Sequence, residues 1–182
     1  MATTDSWTSK IDQTTSDFKK AFGQLTADQL NWKPNEKTWS IGQNISHLIV
    51  TNESYYPVIK SVKAGTYKLP LMGSIGFMVN AFGKMVLSAV QPDRKRKSKT
   101  FPIWEPTKSK VAPDILNKFE QHQTELKQMI MGSAELIDKG TIISSPANKN
   151  IVYKLDMAYN IITTHEQRHL EQAKEVLAVL PK

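Results

Sequence analysis

The chain predicts an all-α protein, a four-helix bundle with a helical and loop insertion between its second and third bundle helices. Three observations carry this. Apolar residues recur at helical spacing along four long stretches. No alternating strand pattern survives beyond a few residues, and there is no internal repeat. Capping boxes, glycines and prolines punctuate the stretches where helices should start and stop.

Trp7, Ile11, Phe18, Phe22 and Leu25 mark a first helix from about Asp5 to Gln24. A polar link with Trp32, Pro34 and Trp39 follows, in which Thr26 and Gln29 can cap a short helical turn. Ser40-Ile41-Gly42-Gln43 is a clearer capping box, with Ser40 as N-cap and Gln43 three residues on. The second helix runs through Ile45, His47, Leu48 and Tyr55 to a stop at Gly65, with a kink or break expected near Pro57. Residues 66–112 read as the insertion, holding an apolar helix at 75–89 and then a basic, proline-punctuated run. Pro113 suits the first position of the third helix, whose face is Ile115, Leu116, Phe119, Leu126 and Ile130, with Gly132 as its end. A link over 133–150, with one short helical turn, leads to the last helix. Its stripe is Leu155, Ala158, Ile162, His165, His169, Ala173, Val176 and Leu180.

The 182 residues suit a single domain, 1–182, with a full hydrophobic core. There is no cysteine, which excludes disulfides, thiolate metal knuckles and a cysteine nucleophile. That usage, and a start without a basic or apolar leader, fits a cytoplasmic protein. The apolar stretch 71–90 contains Asn80, Lys84 and three glycines, so it reads as a buried or dimer-forming helix and membrane contact is not expected. Net charge is +7, with much of the excess between Lys84 and Lys110. The run Arg94-Lys95-Arg96-Lys97 reads as a solvated loop. It has no interleaved aromatics, so no specific nucleic-acid partner is expected.

The sharpest chemical signal is His165-Glu166-Gln167-Arg168-His169. Imidazoles at i and i+4 share one helix face, roughly 5–6 Å apart at Cβ, which suits two ligands of one metal ion. The string also spells H-E-x-x-H, the zinc-protease signature. A protease needs a third ligand downstream, but only Glu171 and Glu175 follow, on the same helix. Glu166 lies about 100° around the helix from His165 and is at most a candidate general base. The third ligand must come from upstream, and His47, on a semi-polar face with Gln43, Asn44 and Thr51, is the candidate. Gln43 and His122 are candidates to hold the ligands in place, although His122 reads more simply as a core-edge histidine.

Trp39-Ser40-Ile41-Gly42-Gln43, then His47-Leu48, then the late His165-x-x-x-His169 together resemble the DinB-like superfamily, as does Leu30-x-x-Lys33-Pro34 upstream. The insertion at 66–112 matches nothing in that pattern. The resemblance implies an up-down-down-up four-helix bundle. It also implies a divalent metal, zinc or nickel above all, on His47, His165 and His169, and it implies a homodimer. Known activities in the family often use low-molecular-weight thiols, as in bacillithiol S-transferases and mycothiol-dependent maleylpyruvate isomerase. Three neutral imidazoles leave open positions on an ion, as catalytic sites do. The leading expectation is therefore a metal-dependent enzyme that activates a small external thiol toward an electrophilic small-molecule substrate. One alternative is a metal-dependent hydrolase with metal-bound water as nucleophile. The other is a non-catalytic, stress-associated metal-binding or scaffold protein.

Overall fold

Local chemistry sets several of the helix boundaries in the computed structural model, which describes residues 2–93, 100–106 and 110–181. The run Arg94-Lys95-Arg96-Lys97 lies outside the described residues. Helix α1 is Ala2–Phe22, starting a turn earlier than the apolar pattern suggests. Thr26 and Gln29 form the expected capping box and open α2, Ala27–Asn31. Ser40 does the same for α3, Ile41–Glu53: its Oγ accepts from the Gln43 amide at 3.0 Å, and Gln43 Oε1 accepts from the Ser40 amide at 3.1 Å. The helix breaks at Ser54 and resumes as α4, Tyr55–Lys63. Pro57 explains the break: it has no N–H for the Glu53 carbonyl, and its ring crowds that carbonyl. Gly65 then ends α4 at φ +67°, where a side chain would be strained. The Thr66 amide bonds back to the Ser61 carbonyl and the Gly65 amide to that of Val62, each at 3.0 Å.

The insertion folds as a short 3-10 turn, Leu71–Ser74, the apolar helix α5, Gly76–Ala89, and a second 3-10 turn, Pro102–Trp104. Helix α6 is Ile115–Met131 and begins two residues beyond Pro113, which sits in the preceding turn and not at the first helical position. Helix α7, Ala134–Asp138, is the expected short turn. A hairpin then departs from the all-α expectation: β1, Ile142–Ser145, pairs antiparallel with β2, Asn148–Lys154, placing Ile143 opposite Tyr153 and Ser144 opposite Val152. Buried, one such strand is only four residues long, too short to show a period in sequence. Helix α5 packs on β2 and on α8, Leu155–Ala178. Gly83 of α5 makes that approach possible, since a Cβ there would stand 2.8 Å from Met157 Cγ and 3.3 Å from Tyr153 Cβ.

Helices α1 and α3 each pack against both α6 and α8. Their apolar contacts form two clusters. One gathers Trp7, Ile11, Tyr55, Leu126, Ile130, Tyr159 and Ile162, with the hairpin's Ile143 and Tyr153. The other gathers Phe18, Phe22, Ile45, Leu48, Phe119, Leu170 and Ala173. Between the residues of the two clusters each long helix carries buried polar groups: Thr14 on α1, Thr51 and Asn52 on α3, His122 and Gln123 on α6, and Thr163, Glu166, Arg168 and His169 on α8. The mostly helical core is thus divided by polar side chains, and such groups are tolerated there only when hydrogen-bonded. Among the described residues no helix is long and apolar enough to cross a membrane.

Candidate metal centre

The Ser40 capping box fixes where α3 begins, and so places Asn44 and His47 one turn apart on the side facing α8. From α8, His165 and His169 meet them. The three imidazoles converge through Nε2: His165 Nε2 lies 3.4 Å from His47 Nε2 and 2.9 Å from His169 Nε2. Candidate ligand atoms of all three lie within 4.8 Å of one another. His47 and His169 are buried, while His165 is half-buried.

The outer nitrogens explain this convergence. His47 Nδ1 is 2.6 Å from the Trp104 carbonyl, which only accepts, so Nδ1 carries the proton and Nε2 keeps its lone pair. His169 Nδ1 is 2.8 Å from Asn44 Oδ1. The orientation of that amide is fixed, because Asn44 Nδ2 donates to the Ser40 carbonyl at 2.9 Å. His169 therefore also donates through Nδ1 and presents a bare Nε2 inward. The Trp39 indole stacks on His169, 5.8 Å between centroids and 11° between planes, and packs against His47.

Such a donor set is one that could hold a metal ion. Tetrahedral bonds of ~2.0–2.1 Å to imidazole set nitrogens about 3.3–3.4 Å apart; His47 and His165 stand at that spacing, and all three candidate ligand atoms lie within 4.8 Å of one another. Electrostatics agree. Burial holds His47 down to about 4, although its bond to the Trp104 carbonyl works the other way. Burial first, then neighbouring positive charge, keeps His165 and His169 well below the usual imidazole range. All three are neutral at pH 7, the form that binds a metal.

Beside the imidazoles opens a cavity of about 470 Å³, lined by His165, His169, Trp39 and Asn44, with Lys37 and Arg168 on its walls. The Arg168 guanidinium donates to the Gln91 carbonyl at 2.8 Å, tying α8 to the chain after α5.

The other residues singled out from the sequence lie differently. Gln43 serves the Ser40 capping box. Glu166 and His122 share a separate buried cluster. Asn52 Nδ2 donates to Glu166 Oε1 at 2.8 Å and to His122 Nε2 at 3.2 Å, and Gln123 Nε2 donates to Glu166 Oε2 at 3.0 Å. Burial raises the Glu166 carboxyl to about 7 despite these two amides, and burial lowers His122 to about 4. Trp104 was not among the residues the sequence pointed to, and Asn44 was named only as part of the semi-polar face around His47, with no role of its own. Asn44, three residues before His47, had a positional signal, whereas a backbone carbonyl 57 residues away had none.

No curated protein and no solved structure matches the chain. The sequence profile of the DinB superfamily matches residues 10–173, spanning α1 to most of α8 and all three histidines. The chain belongs to the DinB superfamily.

Proposed function

We propose that His47, His165 and His169 hold a catalytic divalent ion, zinc or nickel, and that the protein transfers a small external thiol to an electrophilic small molecule entering the 470 Å³ cavity. One observation carries the metal reading: three Nε2 atoms converge, and acceptors on the outer nitrogens of His47 and His169 leave the Nε2 lone pairs of those two rings facing inward. A bound dication would lower the pKa of a coordinated thiol and so supply the nucleophile at neutral pH. The chain's own residues do the rest. Asn44 and the Trp104 carbonyl hold the rings, Trp39 walls the site, and the cavity orients the acceptor. With no cysteine in the sequence, the thiol is external.

The placement of Glu166 favours this over hydrolysis. Both its oxygens are engaged by Asn52 and Gln123, so it is not free to take a proton from water at the imidazoles. The order of the two apolar clusters along each helix supports an up-down-down-up four-helix bundle. Helices α1 and α8 run from the first cluster to the second, while α6 and α3 with its continuation α4 run back. We further read 1–182 as one domain that works as a cytoplasmic homodimer.

The test is a panel of low-molecular-weight thiols against an electrophilic acceptor, with zinc- or nickel-loaded protein. Acceptor consumption should need both thiol and metal and disappear in His47→Ala. Equal consumption without thiol would point to the hydrolase, and metal binding without any consumption to the scaffold reading.

A further inference from the structure

We propose that the strap at residues 101–104 is a working part of the metal centre: the Trp104 carbonyl sets the tautomer of His47, and the indole of the same residue anchors that carbonyl. The inference rests on the metal reading above, but its central step is visible in the protein alone.

Phe101, Pro102 and Ile103 are exposed, whereas Trp104 is half-buried against α3. Trp104 makes two polar contacts in opposite directions. Its carbonyl accepts from His47 Nδ1–H at 2.6 Å, and its indole Nε1–H donates to Ser54 Oγ at 3.1 Å. Ser54 is prepared for this, since its own hydroxyl proton goes to the Thr51 carbonyl and leaves a lone pair for the indole. Phe101 packs edge-on against the indole, with centroids 5.6 Å apart at 85°. The Trp104 amide closes the turn onto the Phe101 carbonyl at 2.9 Å. Backbone and side chain of one residue therefore bracket α3, one at His47 and the other at Ser54.

The consequence is chemical. A free neutral histidine carries its proton on either nitrogen, and a ring protonated on Nε2 cannot ligate through that atom. The carbonyl removes the choice for His47, as Asn44 does for His169. Thr100, just before the strap, lines the cavity, so the segment that fixes a ligand also walls the substrate space. The insertion thereby completes a site whose three ligands come from outside it.

The experiment compares Trp104→Ala, Trp104→Phe and Ser54→Ala with the parent protein. Nitrogen-15 NMR of the metal-free proteins at pH 8 reads the His47 tautomer, and competition titration with zinc reads affinity. The parent should show His47 as the Nδ1–H form. Trp104→Ala should mix the tautomers and weaken zinc binding ~10–100-fold, the effect of losing a partner that orients a metal ligand. Ser54→Ala and Trp104→Phe remove the same hydrogen bond from its two ends. They should show equal, smaller losses that do not add in the double variant. If Trp104→Ala fails to fold, Ser54→Ala decides. An unchanged tautomer with affinity within about twofold of the parent in folded variants would overturn the proposal. If the parent binds no zinc, the metal reading falls, yet a tautomer that shifts in the variants would still establish the strap's hold on His47.

Discussion

Replacing Glu166 by glutamine tests how the polar layer is built. The carboxyl is fully buried and is raised by that burial from 4.5 to about 7. The unfolded chain gives up this proton near 4.5, while the folded chain keeps it until about 7. Across that window the unfolded state binds fewer protons, so stability falls as pH rises and levels off above about 7. At about 1.4 kcal/mol per pH unit, this one group makes the fold roughly 2–3 kcal/mol less stable at pH 8 than at pH 5. Glutamine imitates the protonated acid and cannot titrate. The assay is urea unfolding of metal-free parent and Glu166→Gln protein from pH 5 to 8. The stability of the parent minus that of the variant should drop by roughly 2–3 kcal/mol over this range, whatever the absolute cost of the amide. A difference that stays flat or grows with pH would show Glu166 ionised throughout and refute the reasoning.

On the Glu166→Gln background, the metal-free protein should lose stability as pH falls from about 6.5 toward 4. His47 and His122 are held down to about 4, and His165 and His169 well below the usual range, so the unfolded state takes up protons first. Melting temperatures that rise over that range would contradict it. Asn44→Leu should weaken zinc binding ~10–100-fold in a competition titration, because His169 loses the acceptor for its Nδ1–H. Gly42→Ala should cost about 1–3 kcal/mol in urea unfolding, since its Cβ would overlap Val111 Cγ2 and stand 3.2 Å from the Leu30 carbonyl.

Much of the site was legible because helices convert spacing into direction. His165 and His169 at i and i+4 had to share a face, and the Ser40 capping box fixed the register that turns His47 toward them. The same geometry shows why H-E-x-x-H misleads here. One residue of rotation carries Glu166 off the histidine face and into the amides of Asn52 and Gln123. What the sequence did not disclose was non-local. The hairpin is too short to declare a period, and β2 gains its cover from α5, which belongs to the insertion. The partner of His47 is a main-chain carbonyl, a group every residue possesses, and only folding of the strap selects Trp104.

The most direct test of the central claim is metal content, measured by elemental analysis on protein purified without a histidine tag and then titrated with zinc or nickel. Three converging Nε2 atoms predict about one ion per chain, with His47→Ala weakening binding as severely as His169→Ala. A stoichiometry near zero that added zinc or nickel does not change, or full binding by His47→Ala, would contradict the three-histidine centre.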